Sequence, residues 1–222
     1  MTESVRQRFM RWRMEELLLK YSGLRLAPTS GPFVKLAGYL SFCAEAPRKE
    51  RIDDEYEIEI LVPFRFPEEV PSVREIARRI PASYHKLSDG SLCLGSPTRL
   101  RLMVLGSPWI NSFVELCVIP YLYGYSYFEK HSKSPFGELD HGEDGIRQDL
   151  ASLYGVEGRD VVPQLVRLTS MKRRIANKRI CPCGSSQRLG RCHNRRVNSL
   201  RNRLGRRWFQ LLLLDMRSER VH

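Results

Sequence analysis

The stretch Tyr56-Glu57-Ile58-Glu59-Ile60-Leu61-Val62 decides the fold. Ile58, Ile60 and Val62 alternate with Glu57, Glu59 and Leu61, the two-residue period of a strand with one apolar face. A second strand is predicted upstream over residues 35–44, and the charged residues 45–55 between them read as a connection of hairpin type. Two strands joined in this way begin an antiparallel sheet and not a β-α-β unit, which places the chain in the α+β class.

Upstream, Val5, Phe9, Trp12 and Leu17 fall near helical spacing and predict an amphipathic helix over residues 3–21, with Gly23 at its stop. Pro28, Ser30, Gly31 and Pro32 follow as a breaker cluster. Downstream, the prolines of residues 63–71 forbid a regular helix or a central strand. Ser72 with Glu75 has the capping-box pattern and predicts a short helix through Arg79, ended by Pro81. Residues 82–98 read as loop, with a tight turn at Asp89-Gly90. Residues 110–130 read as helix, kinked or interrupted by Pro120. In the terminal helix, residues 197–217, Val197, Leu200, Leu204, Trp208 and Leu211 form an apolar stripe, and Arg201, Arg203, Arg206 and Arg207 line other faces. The expected organisation is a main domain over 1–150, a helical basic connector over 151–179, a cysteine-rich motif over 180–194 and a basic amphipathic helix over 195–222.

With 42% hydrophobic and 28% charged residues, the 222-residue chain is too apolar for disorder. No apolar run approaches the ~20 residues of a membrane helix. Arg6, Arg8, Arg11, Arg13, Glu15 and Glu16 interrupt any signal-peptide core, so a cytoplasmic protein is expected, with no membrane partner. The net charge of +12 is uneven. Residues 160–222 hold 16 Lys/Arg against three Asp/Glu, whereas residues 1–159 hold 21 against 22. Such asymmetry points to an anionic partner. Nucleic acid bound through Arg195, Arg196, Arg201, Arg203, Arg206 and Arg207 is a secondary reading.

Six cysteines fall into two groups. Cys43 and Cys117, on a predicted strand and helix, read as buried packing residues. In the tail, Cys181, Cys183, Cys192 and His193 supply three thiolates and one imidazole, a set that matches tetrahedral zinc and leaves no open position. The zinc is therefore expected to be structural. Residues 180–194 resemble the SEC-C zinc motif, Cys-Pro-Cys-Gly-Ser followed by a basic stretch and Cys-His. That resemblance implies zinc and a protein contact, and no reaction.

Cys93 stands in Asp89-Gly90-Ser91-Leu92-Cys93-Leu94-Gly95, just after the tight turn and between leucines that anchor it, which suits a nucleophile that a macromolecule must reach. The order of parts, the segment Phe66-Pro67-x-x-Val70-Pro71-x-Val73 and the sequence around Cys93 resemble the ubiquitin-conjugating (UBC) family. The resemblance covers residues 1–150 and implies an antiparallel meander flanked by helices, with a thioester formed on Cys93. Tyr84-His85-Lys86-Leu87 stands where the family has His-Pro-Asn, and Trp109 lies sixteen residues past the cysteine where the family's tryptophan lies eight past. These departures are similar to divergent bacterial UBC-like proteins, among them those encoded beside cGAS-like nucleotidyltransferases in anti-phage defence. That likeness implies a thioester between Cys93 and the C-terminus of such a nucleotidyltransferase, passed on to an amine. His85, eight residues before Cys93, is a candidate oxyanion donor, and Asp140 and His141 are candidates to orient or deprotonate the amine. Ordinary surface or capping roles are the alternative for His85 and His141. Two other readings of the whole chain stand beside the enzyme: an inactive UBC-like adaptor in which Cys93 is structural, and a nucleic-acid-binding protein acting through its tail.

Overall fold

The computed structural model describes residues 4–136 and 142–218. The candidates Asp140 and His141 lie outside the described residues. The chain divides into two compact units, Met1–Glu138 and Leu139–His222.

The first unit opens with helix α1, Val5–Trp12, capped reciprocally by Ser4 and Gln7, and helix α2, Met14–Lys20. The single helix predicted over 3–21 is thus broken, at Arg13, whose φ of 53° is left-handed. The break has a packing reason. Trp12 and Met14 are both fully buried, yet two positions apart on an unbroken helix they would face nearly opposite ways.

Four strands follow in the order β1-β2-β3-β4, each antiparallel to the next: β1 Leu24–Ala27, β2 Phe33–Glu45, β3 Arg51–Pro63 and β4 Ser72–Glu75. The two anticipated strands are longer than the pattern suggested, and their connection shrinks to residues 46–50. In β3, Ile52, Tyr56, Ile58, Ile60 and Val62 face the core, so Arg51, Asp53, Glu55, Glu57 and Glu59 form its outward row rather than a loop, while Asp54 shares the inward row and accepts from the Ser126 hydroxyl. β1 pairs Leu24 with Gly38, a short edge strand that its four residues did not announce.

The helix expected over residues 72–79 is a strand. Val73 pairs with Ile60 and Glu75 with Ile58, which sends both side chains into the core. Glu75 does cap backbone amides, but those of Arg79 (3.0 Å) and Ile80 (3.2 Å), not a helix begun at Ser72. Cys43 is likewise corrected: it is exposed, on the outer row opposite Asp53, because Phe42 and Leu40 take the inward positions of β2. Cys117 is buried, and burial pushes its thiol up to about 11.

Helix α5, Ile119–His131, packs on β2 and β3, and is preceded by α3, Pro97–Gly106, and α4, Ile110–Phe113, of which α4 packs against α2 and α3. Between α4 and α5 the turns widen to a π-type segment, Val114–Val118, and Pro120 sits in the first turn of α5. The missing proline N–H therefore falls at a helix start, where it breaks no α-type bond. The indole of Trp12 donates to the Phe66 carbonyl (3.1 Å), with the two rings edge to face, which fastens the proline-rich segment to α1.

The second unit holds helices α6, Gly142–Tyr154, α7, Val162–Ser170, α8, Arg173–Ala176, and α9, Asn194–Ser218. Leu150, Tyr154, Leu165, Val166, Val197 and Leu200 are buried, with α7 against α9 as the main packing. Arg201 does not line a solvent face. It is 6% exposed and donates to the carbonyls of Leu168 (2.8 Å) and Thr169 (3.0 Å), and Arg206 donates to that of Ser170 (3.1 Å). Those carbonyls end α7, where that of Leu168 also accepts the Met171 amide (3.3 Å), so the two guanidinium groups add to its C-cap. Helix α9 also breaks at Gly205 (φ 77°, ψ 157°), and Leu211, predicted to lie in the apolar stripe, is 50% exposed. Among the described residues no helix is long and apolar enough to cross a membrane.

Candidate functional site

Cys93 closes a short hairpin. Lys86 and Leu92 pair as an antiparallel bridge, the Leu87 amide donates to the Ser91 carbonyl (2.8 Å) and the Cys93 amide to the His85 carbonyl (2.8 Å). At its tip Gly90, at φ 81°, supplies the left-handed residue, and the Asp89 carboxylate accepts from the amide and hydroxyl of Ser91 (3.0 and 2.6 Å). Hydrogen bonds from Ser91 hold the Asp89 carboxyl below the usual carboxylate range. The Leu92 amide donates to Val73 of β4 (2.8 Å), and Leu92 is buried. The hairpin is thereby sewn to the sheet while the Cys93 side chain stays partly exposed.

His85 and Cys93 are brought together by this pairing. The amides of Leu92 and Cys93 are engaged with Val73 and His85, and that of Leu94 with Leu92 (3.1 Å). These three amides are thus taken up by the fold, and the half-buried His85 stands at the position paired with Cys93.

Residues not anticipated from the sequence support the hairpin from behind. The Tyr121 hydroxyl on α5 lies 3.0 Å from the Tyr84 carbonyl and 3.2 Å from that of His85. One turn on, the Tyr125 hydroxyl donates to the Arg79 carbonyl (2.8 Å). Tyr84 packs edge-on against His85, Tyr121 and Tyr125, and burial pushes its phenol up to about 12. Lys86 reaches back to the Ile80 carbonyl (2.7 Å) and lies 3.6 Å from the fully buried Glu75 carboxylate. One sequence signal was available. Tyr121 and Tyr125 share a helix face at i, i+4, whereas Tyr123 and Tyr127 share another that faces Glu50 and Lys49.

In the second unit the ligand atoms of Cys181, Cys183, Cys192 and His193 all lie within 4.8 Å of one another, a cluster that can hold a metal ion. His193 Nδ1 is 3.3 Å from Cys181 Sγ and 3.1 Å from Cys192 Sγ, and Cys183 Sγ is 3.4 Å from Cys192 Sγ. Bonds of about 2.0–2.3 Å in a tetrahedron place donors roughly 3.3–3.8 Å apart, so these three pairs lie at or just inside that range and the whole set stays within 4.8 Å. His193 Nε2 lies 3.4 Å from the Gly155 carbonyl, which selects the tautomer that leaves Nδ1 free for metal. Backbone bonds shape the loop: Cys181 to Gln187 (2.8 Å), Leu189 to Arg179 (2.8 Å), Gly190 to Asn177 (3.1 Å) and Cys192 to Leu189 (3.1 Å). The Ser185 hydroxyl, 3.3 Å from both Cys183 and Cys192, pulls the Cys183 thiol down to about 6, whereas burial raises that of Cys181.

Comparison of the sequence with protein-family models and with curated proteins returns no match.

Proposed function

We propose that this chain is a UBC-like acyl carrier that forms a thioester on Cys93 with the C-terminus of a partner protein, a cGAS-like nucleotidyltransferase in bacterial anti-phage defence, and passes it to an amine. The observation that carries the reading is the partly exposed Cys93 on a hairpin sewn to a four-stranded antiparallel sheet, its amide bonded to His85. The chemistry is exchange between acyl carriers. The Cys93 thiolate attacks the carbonyl carbon of an incoming thioester, a new C–S bond forms, and the donor thiolate leaves. An amine then attacks the same carbon, the Cys93 thiolate leaves, and the amine's proton passes to a base. His85 is the proposed donor to the oxyanion in both steps, and Asp140 and His141 are proposed for the amine. In the tail we infer zinc at Cys181, Cys183, Cys192 and His193, with a structural role in holding a docking surface, because four protein ligands complete the tetrahedron.

Intact-mass analysis of protein purified from its native host, with and without hydroxylamine, tests the reading. An acyl adduct on Cys93 that hydroxylamine removes is the expected result. Cys93→Ser abolishes the thiol-sensitive adduct and traps a slower oxyester, since alkoxide is the poorer leaving group, while Cys43→Ser leaves the adduct intact. Full biological activity in Cys93→Ala overturns the carrier and leaves an adaptor.

A further inference from the structure

We infer that Tyr121 is the positioning residue of the Cys93 site, its hydroxyl fixing the His85 backbone from which the Cys93 amide hangs; the inference deepens the acyl-carrier reading and rests on it. Three observations carry it. His85 has a φ of 40°, a left-handed conformation that L residues with a Cβ adopt only where surroundings impose it. The Tyr121 hydroxyl lies between the carbonyls on both sides of that strained residue, at 3.0 Å from Tyr84 and 3.2 Å from His85. The His85 carbonyl in turn accepts the Cys93 amide at 2.8 Å. Tyr121 O–H, His85 C=O and Cys93 N–H thus form one chain from a core helix to the thiol-bearing residue.

The phenol is suited to this role. Burial, followed by the nearby Tyr84 and Cys93, raises its pKa, so it remains a donor throughout the range in which a thiolate works. The amides of Leu92, Cys93 and Leu94 are all engaged, and that of Cys93 through His85, so the backbone carrying the thiol is set by the segment that Tyr121 holds.

Tyr121→Phe removes one oxygen and keeps the ring that packs on Tyr84, so the fold is retained. Tyr125→Phe is the control, since it removes an equivalent hydroxyl one turn away that serves the Arg79 carbonyl instead. Two measurements on the full chain are made. Amide hydrogen exchange, which needs no acyl chemistry, is expected to speed up at Cys93 by about tenfold in Tyr121→Phe and not in Tyr125→Phe. Acylation of Cys93 by glycylglycine 2-mercaptoethanesulfonate thioester is expected to fall by about tenfold in Tyr121→Phe, while alkylation by iodoacetamide, which needs only an accessible thiolate, changes less than about twofold. Unchanged Cys93 exchange in Tyr121→Phe overturns the inference, as does a parallel change in acylation and alkylation. A wild-type chain that the thioester does not acylate, but whose Cys93 amide still responds to Tyr121→Phe, overturns the carrier reading and leaves the positioning role standing.

Discussion

Asp54 shows how one side chain here can be read for its contribution to stability. Its carboxylate accepts both terminal nitrogens of Arg79 (2.9 and 2.8 Å), the Ser126 hydroxyl (2.7 Å) and the Glu55 amide (2.7 Å). Burial alone would raise its pKa, but the donors led by Arg79 outweigh burial and leave it below the ordinary carboxylate value. A depressed folded pKa stabilises the native state above the unfolded value, near about 3.9, and that stability is lost as pH falls through the folded pKa. Asp54→Asn is therefore expected to lose about 2 kcal/mol at neutral pH, with the gap to wild type closing below pH about 4. Urea midpoints of both proteins between pH 3 and 7 check this, and a gap that stays constant to pH 3 counts against it. At this scale, the tight turn ahead of Cys93 and the clustering of Cys181, Cys183, Cys192 and His193 could be read from sequence because turn chemistry and donor spacing are local. Tyr121 was hidden because it acts on backbone brought to it by a different element. Ser72 and Glu75 show the hazard: a local capping pattern was overruled by two inward positions on a strand.

At the scale of elements, β3 announced itself because one face is apolar, and β1 did not, because a four-residue edge strand buries only Leu24 fully. The terminal helix is the instructive case. Before Gly205 the buried positions are Val197, Asn198, Leu200, Arg201 and Leu204, and the apolar ones among them would continue on an unbroken helix through Trp208 and Leu211. After it they are Phe209 and Met216, one position on from Trp208 and so about 100° from the apolar stripe, on the side of Asn198. Periodicity cannot foresee such a shift, because both phases look equally amphipathic. Gly205 sits at a backbone conformation suited to glycine, and a Cβ there would meet nothing within 4 Å, so any penalty for alanine is conformational and not steric. Gly205→Ala is expected to destabilise the second unit by about 1–2 kcal/mol and to speed amide exchange around Phe209. Stability equal to or above wild type, with Phe209 still protected, would mean that the break is not what sets the buried face.

For the whole molecule, charge and metal bear on the same half of the chain. The excess of positive charge lies in residues 160–222, but Arg201 and Arg206 are occupied with the carbonyls that end α7. Part of the basic composition that suggested a nucleic-acid partner is thus structural, which a count of residues could not reveal. The metal cluster ties together Cys181 and Cys183 before the short turn Leu189–Arg191 and Cys192 and His193 after it, immediately ahead of α9. Little apolar burial shares that task, since Ile180 is 61% exposed and Cys181 and Leu189 are the buried side chains of residues 180–193. A metal bound there would then supply most of the local stability, since structural zinc binds finger peptides with about 10–16 kcal/mol. Elemental analysis is expected to find one zinc per chain, and Cys183→Ser to lower that content sharply. Chelation is expected to raise hydrogen exchange at the amides of Cys181, Leu189, Gly190 and Cys192, whose carbonyl partners shape the loop, while the amides of β2 and β3 keep their protection. Because the first unit has its own hydrophobic core, removal of the metal should leave Cys93 as reactive to iodoacetamide as before. A metal-free chain whose Cys181 and Cys192 amides remain protected would show that the backbone bonds hold the loop unaided, and the zinc assignment would fall with it.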